Sequence, residues 1–541
     1  MSPIKKLKRW IIIFLYECGV CTQKISGYTV YTESNTTKYL FNCTSSVCTK
    51  VTDAGYYLVD GSLVNVATAT TVATPVANAF YLDGSSFDNS KYSKLIKCTG
   101  TTASTYSSVE SPGDGFYLNG DGYASGFKKL ITCTTQQCES VDSPLSTAGH
   151  AYIDSGTVSG TNKPNIIRCD STKCTSSAGS TTGAYIDVGS KNSDNYPNVI
   201  TCNGTTCTSS PGSNSSSTGE GYLDATTAKY VITCNGTTCT SADKTAAANT
   251  ASANLFYIDA VDKKKVIVCT SSACKSAKGT EDETKYYPDT DEVTKVIKCV
   301  KNTDCASEAT NGTNEVFYVD GYDPKKCCPK SNEFPNVIYC DKTKCTSYVG
   351  STTAAYINAG KPDASDSTKF PNVIQCTGGK CANAAGQAST TGVGYMDATT
   401  TGNIITCDSS TGCKSAANGA AKNKNKFYID GMSGTSGTDC KKVIVCVKDS
   451  GCSSLDGTAT GSTVDSYYVN SQNAANYIDC VSNNGACTSK AHSASTTPVF
   501  FVDGYDASKV LKCSSTGCEE KEGATTAGYG YIDAATTTLR L

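Results

Sequence analysis

Histidine, tryptophan and methionine are nearly missing from this chain, with 2 His, 1 Trp and 3 Met in 541 residues. So few Trp and Met fit poorly with one large two-layer core. Neither sign of charge prevails: 47 Lys+Arg stand against 49 Asp+Glu, for a net charge of −2. A basic nucleic-acid footprint and a strongly acidic tail are both absent on the scale of the whole chain. Long apolar runs are missing as well. The stretch Trp10-Ile11-Ile12-Ile13-Phe14-Leu15-Tyr16 is short, whereas a spanning helix needs ~20 apolar residues. These absences disfavour a large cytosolic enzyme, a nucleic-acid binder and a multispan membrane protein. What the chain has instead is 32 Cys, 47 Gly, and 32 Tyr against 13 Phe. That composition suits an extracellular, cysteine-stapled chain.

Residues 1–26 form a segment of their own. Lys5, Lys6, Lys8 and Arg9 precede the apolar run, which is the order of a secretory signal. Gly19-Val20-Cys21 is the best cleavage candidate. The segment reads as a degenerate signal; a truncated gene start and a short membrane anchor are the alternatives.

From about residue 27 to 541 one unit recurs. It opens with an aromatic-aliphatic-Asp triplet and crosses a polar loop of variable length. Two apolar residues, one variable residue and a Cys follow, and then a second Cys, often trailed by Thr/Lys-Ser. One copy reads Tyr152-Ile153-Asp154, Ile166-Ile167-Arg168-Cys169 and Cys174. Another reads Tyr257-Ile258-Asp259, Val266-Ile267-Val268-Cys269 and Cys274. First cysteines of successive copies run from Cys98 to Cys513 at about 35 residues per repeat. The last copy, at Tyr531-Ile532-Asp533, is truncated before its Cys pair. Both apolar triplets are β-formers bounded by turn dipeptides such as Asp320-Gly321 and Asp503-Gly504. No stretch of the array keeps a helical period for ten or more residues. The expected fold is all-β: an elongated tandem array of disulfide-stapled short-strand repeats, solenoid-like or built as beads of β-hairpins. One repeat has about four recurring apolar side chains, worth roughly 1.5–3 kcal/mol each when buried. Ordering its backbone costs roughly 1–2 kcal/mol per residue. Neighbouring repeats must therefore stack and bury one another's faces.

The cysteines fall into local pairs. Cys43 goes with Cys48, Cys133 with Cys138, Cys169 with Cys174, Cys202 with Cys207, Cys234 with Cys239, and Cys269 with Cys274. Further along, Cys299 goes with Cys305, Cys340 with Cys345, Cys376 with Cys381, Cys407 with Cys413, Cys446 with Cys452, Cys480 with Cys487, and Cys513 with Cys518. Cys18, Cys21, Cys98, Cys327, Cys328 and Cys440 are left over. A hairpin with the pair facing across its base is the simplest arrangement, and pairing between adjacent repeats is the alternative. Zinc is the rival to disulfides, but the drifting spacing and the scarcity of His speak against it. Asn35, Asn42, Asn203, Asn214, Asn235 and Asn311 head Asn-x-Ser/Thr sequons, which mark glycosylation candidates and point outside the cell.

Catalytic chemistry finds little to stand on. His150 and His492 lack any triad or metal context, and no Walker loop, HExxH or GxSxG elbow is present. An Asp that recurs in most repeats is a structural position, capping a turn, with a calcium or partner contact as the alternative. Vicinal Cys327-Cys328 is a loop staple or a redox pair. The Tyr stripe either packs between repeats or forms a ladder that stacks on sugars. Frequent Lys near the second strand blocks edge-to-edge pairing or meets an acidic partner. No catalytic residue, metal ligand or cofactor site is assigned.

Units such as Gly55-Tyr56-Tyr57-Leu58-Val59-Asp60-Gly61, and Lys295-Val296-Ile297-Lys298-Cys299 followed by Cys305, resemble repeats of the scaffoldins of anaerobic gut fungi. The resemblance covers about residues 27–541. It implies a secreted or cell-surface, non-catalytic repeat protein that organises a cellulosome. Its implied partners are dockerin-bearing cellulases and hemicellulases. The resemblance carries over no dockerin-contact residues, so the binding residues stay open. A carbohydrate-binding adhesin or structural cell-wall protein, touching plant polysaccharide through a Tyr ladder, is the second expectation.

Overall fold

The computed structural model describes residues 26–540, apart from 33–37, 45–46, 68–69, 72–75, 101–104, 122–128, 144–146, 158–160, 171, 252–253, 281–283, 311–314, 323–335, 378–379, 422–423, 435–438, 460, 493–496, 525–530, 533 and 535–538. Residues 1–25 of the proposed 1–26 signal segment, Asp533 of the last copy, Cys18, Cys21, Cys327, Cys328, Asn35 and Asn311 lie outside the described residues.

Each repeat is a three-stranded antiparallel meander. Among the described residues fifteen of them follow one another before a final two-stranded piece. In the copy at Ala184–Pro211 the strands are Ala184–Asp187, Asn198–Cys202 and Cys207–Pro211. The aromatic-aliphatic-Asp triplet forms the first strand. Val-Ile-x-Cys forms the second, and the polar Cys-Thr-Ser run forms the third. Register places the two cysteines of a pair directly opposite each other at the turn end of a short hairpin, as in Cys202↔Cys207.

Disulfides close within these hairpins, and none of the thirteen links two repeats. Most join cysteines five residues apart: Cys43–Cys48, Cys133–Cys138, Cys169–Cys174, Cys202–Cys207, Cys234–Cys239, Cys269–Cys274, Cys340–Cys345, Cys376–Cys381 and Cys513–Cys518. The drift in spacing only lengthens the turn. Cys299–Cys305, Cys407–Cys413 and Cys446–Cys452 are six apart, and Cys480–Cys487 seven. The second cysteine is buried in most copies, as at Cys138, Cys345, Cys413 and Cys487, and half-buried at Cys48, Cys381 and Cys452. Pairing across adjacent repeats, the alternative in the sequence, is therefore excluded for these pairs.

The second strand explains why two successive apolar residues recur. Val199 and Ile200 are both fully buried, although successive side chains on a strand point to opposite faces. Ile200 packs with its own Tyr185 and disulfide, and with Ile166 and Ala151 of the preceding repeat. Val199 turns the other way, to Tyr222, Ile232 and the Cys234–Cys239 bridge of the following repeat. The pattern continues with Val231 against Tyr257 and Ile267, and with Val337 against Tyr356 and Ile374. None of these clusters belongs to one repeat; each is shared by neighbours. The repeats are thus layers of a solenoid rather than beads on a string.

Backbone hydrogen bonds lock the layers in step. The residue after each strand-ending Asp or Asn donates its N–H to the carbonyl just before the Tyr of the preceding repeat: Ser155 to Phe116 at 2.8 Å, Ala225 to Ala184 at 3.0 Å, Gly321 to Tyr286 at 2.7 Å. First strands are therefore joined in parallel, with bridges such as Ala184↔Asp224 and Tyr286↔Asp320. On the other side of the layer, the second cysteine's N–H reaches the preceding repeat's loop, as in Cys207 to Lys163 at 2.8 Å and Cys274 to Ala228 at 2.7 Å. Contacts also skip one repeat. Tyr286 Oη donates to the Gly360 carbonyl at 2.9 Å, and Gln375 Nε2 to the Gly431 carbonyl at 3.0 Å.

Helix is scarce, because the linkers are rich in Ser, Thr, Gly and Asn, which favour turns over helix. Among the described residues the α-helices are Ser215–Thr218 and Lys244–Ala251, and both flank the repeat at Glu220–Asp243. Among the described residues no helix is long and apolar enough to cross a membrane.

Candidate functional site

The recurring Asp is a two-sided clamp. In the repeat at Leu255–Lys278, Asp259 Oδ1 accepts the N–H of Val261 at 3.0 Å, which shapes the turn after the first strand. Its Oδ2 accepts the hydroxyl of Ser276 on the third strand. The same lock joins Asp154 to Ser176, Asp187 to Ser209, Asp224 to Ser241, Asp289 to Ser307, Asp320 to Ser347, Asp397 to Ser415 and Asp430 to Ser454. Where Asn stands in for Asp the polarity reverses. Asn119 donates to Ser140 at 2.9 Å, Asn470 to Ser489 at 2.8 Å, and Asn358 to Asn383 at 2.8 Å. These carboxyls are buried, and burial raises Asp187, Asp259, Asp289 and Asp430 above the usual carboxylate range. Asp320 is pushed up to about 6, again chiefly by burial. A lock repeated in copy after copy holds strands together; it is not a tuned catalytic pair.

This lock makes one sharp prediction. Ser276→Ala leaves Asp259 Oδ2 buried without a donor, which costs about 1–3 kcal/mol. Native-state hydrogen exchange is expected to show faster opening of the amides in Lys265–Lys278 and little change several repeats away. Unaltered protection there would contradict the lock.

The repeat at Val499–Glu522 departs from the rule. At the position of the locking Ser, opposite Leu511, stands Glu520. Asp503 Oδ2 is buried and has no partner. Its carboxyl is pushed up to about 6 by burial, with the Glu520 charge adding to the rise. Lys509 pairs with Glu520 and Asp506 rather than with Asp503.

The Tyr stripe lies inside the solenoid. Tyr57, Tyr81, Tyr257 and Tyr395 are at most 2% exposed, so these rings offer no ladder of open faces to sugars. Burial between layers removes it. The hydroxyls explain why Tyr outnumbers Phe: they tie down the linker that enters each repeat. Tyr185 Oη accepts the Ser180 N–H at 3.0 Å, Tyr356 Oη accepts the Ser351 N–H at 2.9 Å, and Tyr468 Oη donates to the Gly457 carbonyl at 2.6 Å.

What the array shows to solvent is the third strand and its hairpin tip. The residue after the second cysteine is exposed in repeat after repeat: Thr175, Thr208, Thr240, Lys275, Lys414, Ser453 and Glu519. Tips are shaped by Asx turns. Asn203 Oδ1 accepts from the N–H groups of Thr205 and Thr206 at 3.0 and 2.9 Å, and Asn235 does the same with Thr237 and Thr238. Both of these sequon asparagines are exposed, whereas Asn42 and Asn214 are half-buried. The lysines of the second strand mostly meet carboxylates of their own surface, as in Lys298–Glu308 at 3.2 Å and Lys442–Asp456 at 3.5 Å.

Cys98 and Cys440 are buried and stand apart from the thirteen disulfides, and burial pushes the Cys440 thiol up to about 11. His150 packs on Tyr196 with ring centroids 4.8 Å apart. Among the described residues no group of three or more His, Cys, Asp or Glu side chains converges as a metal site. The third-strand Ser is the partner that motif reading passed over. Its signal is the Ser two residues after the second cysteine, but only strand register says which Asp it meets.

Neither a protein-family model nor a curated protein matches the chain. Among solved structures, the chain is similar to the crystal structure of BBS1N in complex with ARL6DN, soaked with mercury, at 8% identity and a TM-score of 0.09, with 93% of this chain and 96% of that chain covered. A TM-score that low carries no argument about fold or function. The regular disulfides fit an oxidising, extracellular setting.

Proposed function

We propose that this chain is a non-catalytic extracellular scaffold whose repeats offer many copies of one docking surface, and that its partners are dockerin-bearing cellulases and hemicellulases. The observation that carries the reading is the exposed third strand. Most layers present a similar short polar strand, held in register by a disulfide and an Asp–Ser or Asn–Ser lock, while the apolar groups of the motif go into stacking. A partner that recognises one such strand meets an equivalent one in the next layer. Linked sites turn later binding events into intramolecular ones, so avidity rises by roughly 10²–10⁴ without stronger single contacts. The dockerin assignment rests on the resemblance of the repeat motifs to the scaffoldins of gut fungi.

The full chain, titrated with an isolated dockerin module and weighed by native mass spectrometry, is expected to carry several modules at once. A chain that carries none from any dockerin-bearing cellulase tested would reject the docking reading. Cellulose sedimentation without enzyme would then separate a directly polysaccharide-binding chain from one that binds neither.

A further inference from the structure

The array departs from its own pattern around the repeat at Glu220–Asp243, the one flanked by both helices. Two residues past the locking Asp or Asn, the side chain normally reaches two repeats back. Tyr322 packs on Phe256 with centroids 5.8 Å apart, Tyr505 on Phe427 at 5.7 Å, and Asp121 accepts the hydroxyl of Tyr56. In the repeat that begins at Lys285 that position is Asp291, and the residue two repeats back is Gly221, which has no side chain to offer.

Asp291 instead lines an open pocket of about 240 Å³ together with Ser215, Ser216, Thr233, Cys234, Asn235, Thr238 and Thr240. Its Oδ2 is buried without a hydrogen-bond partner. Close by, Tyr257 is fully buried and its Oη is also unpartnered. Elsewhere that hydroxyl ties down the entering linker, but here the linker is wound into the helix Lys244–Ala251. Buried polar atoms without partners are rare and costly. A ligand that supplies a hydrogen-bond donor would relieve the Asp291 oxygen that lines the pocket.

We infer that this cavity is a binding site for a neutral polyhydroxyl ligand, a single pyranose unit. Three observations select that class. Five of the eight lining residues carry hydroxyls, which both donate and accept, beside Cys234, Asn235 and Asp291, so the lining matches a ligand whose groups do the same. Asp291 offers its buried Oδ2 as an acceptor to a sugar O–H, near the Lys244 ammonium that sits over the Tyr257 ring at 5.5 Å. Finally, the volume exceeds what one water or a bare ion fills and suits one small ring held by a few convergent polar groups.

The test uses the full chain and ligand-observed NMR with methyl glucoside, galactoside, mannoside and xyloside, alongside ethylammonium and inorganic phosphate. At least one pyranoside is expected to bind saturably at millimolar concentration. Asp291→Ala is expected to weaken it by at least about tenfold. Thr240→Val, at an exposed position of the lining, is expected to weaken it as well, and it stands in should the first variant fold poorly. Asp320→Asn, far along the array, is expected to leave it unchanged. Absence of any saturable pyranoside binding, preference for ethylammonium or phosphate, or binding indifferent to both cavity variants would overturn the assignment.

Discussion

Acidifying the protein from pH 7 to pH 4 is expected to raise its resistance to unfolding, not lower it. The reason is the row of buried strand-ending Asp carboxyls. Burial raises Asp187, Asp259, Asp289 and Asp430, and carries Asp320 and Asp503 to about 6. A carboxyl whose pKa is higher in the folded than in the unfolded chain takes up a proton on folding. Its stabilising effect is fully present below the unfolded value, about 3.9, and is lost as pH rises through the folded value. The window is therefore about pH 4 to 6. For Asp320, a rise from 3.8 to about 6 corresponds to about 3 kcal/mol at most, at about 1.4 kcal/mol per pH unit. Exposed loop carboxylates such as Asp170, Asp341 and Asp408 are lowered by neighbouring Thr or Ser hydroxyls and by backbone N–H groups. They act in the opposite sense, but only as pH falls below the ordinary carboxylate value, so stability should peak near pH 4.

Asp320→Asn tests the cause. The array already uses Asn at this position in Asn119, Asn358 and Asn470, where the amide donates across the lock. An amide at position 320 can donate to Ser347 in the same way without a titrating group. Hydrogen exchange of the amides in Val316–Val349, measured at pH 4 and pH 7 and corrected for intrinsic rates, is expected to lose most of its pH dependence in the variant. Protection that increases steadily from pH 4 to 7 in the unmodified protein would sink this account.

The second large effect is expected at Gly279. This glycine follows the third strand Cys274–Lys278 of its repeat, and its N–H donates to the Lys264 carbonyl at 2.9 Å. Its φ is not in the left-handed region, so conformational freedom is not what it supplies. Space is. A Cβ there would lie 2.5 Å from Cys299 Sγ and 2.6 Å from Cys305 Sγ of the next repeat. Gly179, Gly212, Gly386 and Gly457 sit against the following disulfide in the same way. The bridge is held at both ends by hairpin strands and cannot swing aside. Gly279→Ala should therefore cost about 1–3 kcal/mol of overpacking, concentrated at one layer boundary. Limited proteolysis is expected to cut the variant near residues 279–285 at a concentration of protease that leaves the parent whole. Removing both sulfurs with Cys299→Ala and Cys305→Ala makes room for the methyl, so the added cost of Gly279→Ala should shrink sharply in that background. Equal costs in both backgrounds would show that the glycine does not act through the disulfide.

Much of this architecture is legible in the repeat motif itself. The alternation of turn dipeptides with Tyr-Ile-Asp and Val-Ile-x-Cys specifies strands, because β-branched and aromatic residues fit a pleated surface and Asp-Gly fits a turn. Too little apolar surface per repeat implies stacking. The short Cys spacing matches a hairpin, since the two halves of a local pair can meet without help from the rest of the chain.

What local sequence could not decide is where each side chain goes between layers. Val199 and Ile200 look alike in sequence, yet they serve different neighbours, because only packing assigns the two faces of a strand. The Tyr stripe could have faced solvent; the stacking of the first strands turned it inward, and its hydroxyl then found the entering linker. The Ser partner of each Asp lies on the third strand, out of reach until register is set. The pocket beside Asp291 brings that residue together with Thr233, Thr238 and Thr240 of the repeat two before it, a distance that no motif spans. Composition and spacing thus determined the element and the period, which are local properties of the chain, and left the clip as the simplest of the pairings open to the cysteines. The tertiary structure alone decided which groups are shared between layers and which remain exposed, because burial is a property of neighbours that the chain brings together only on folding.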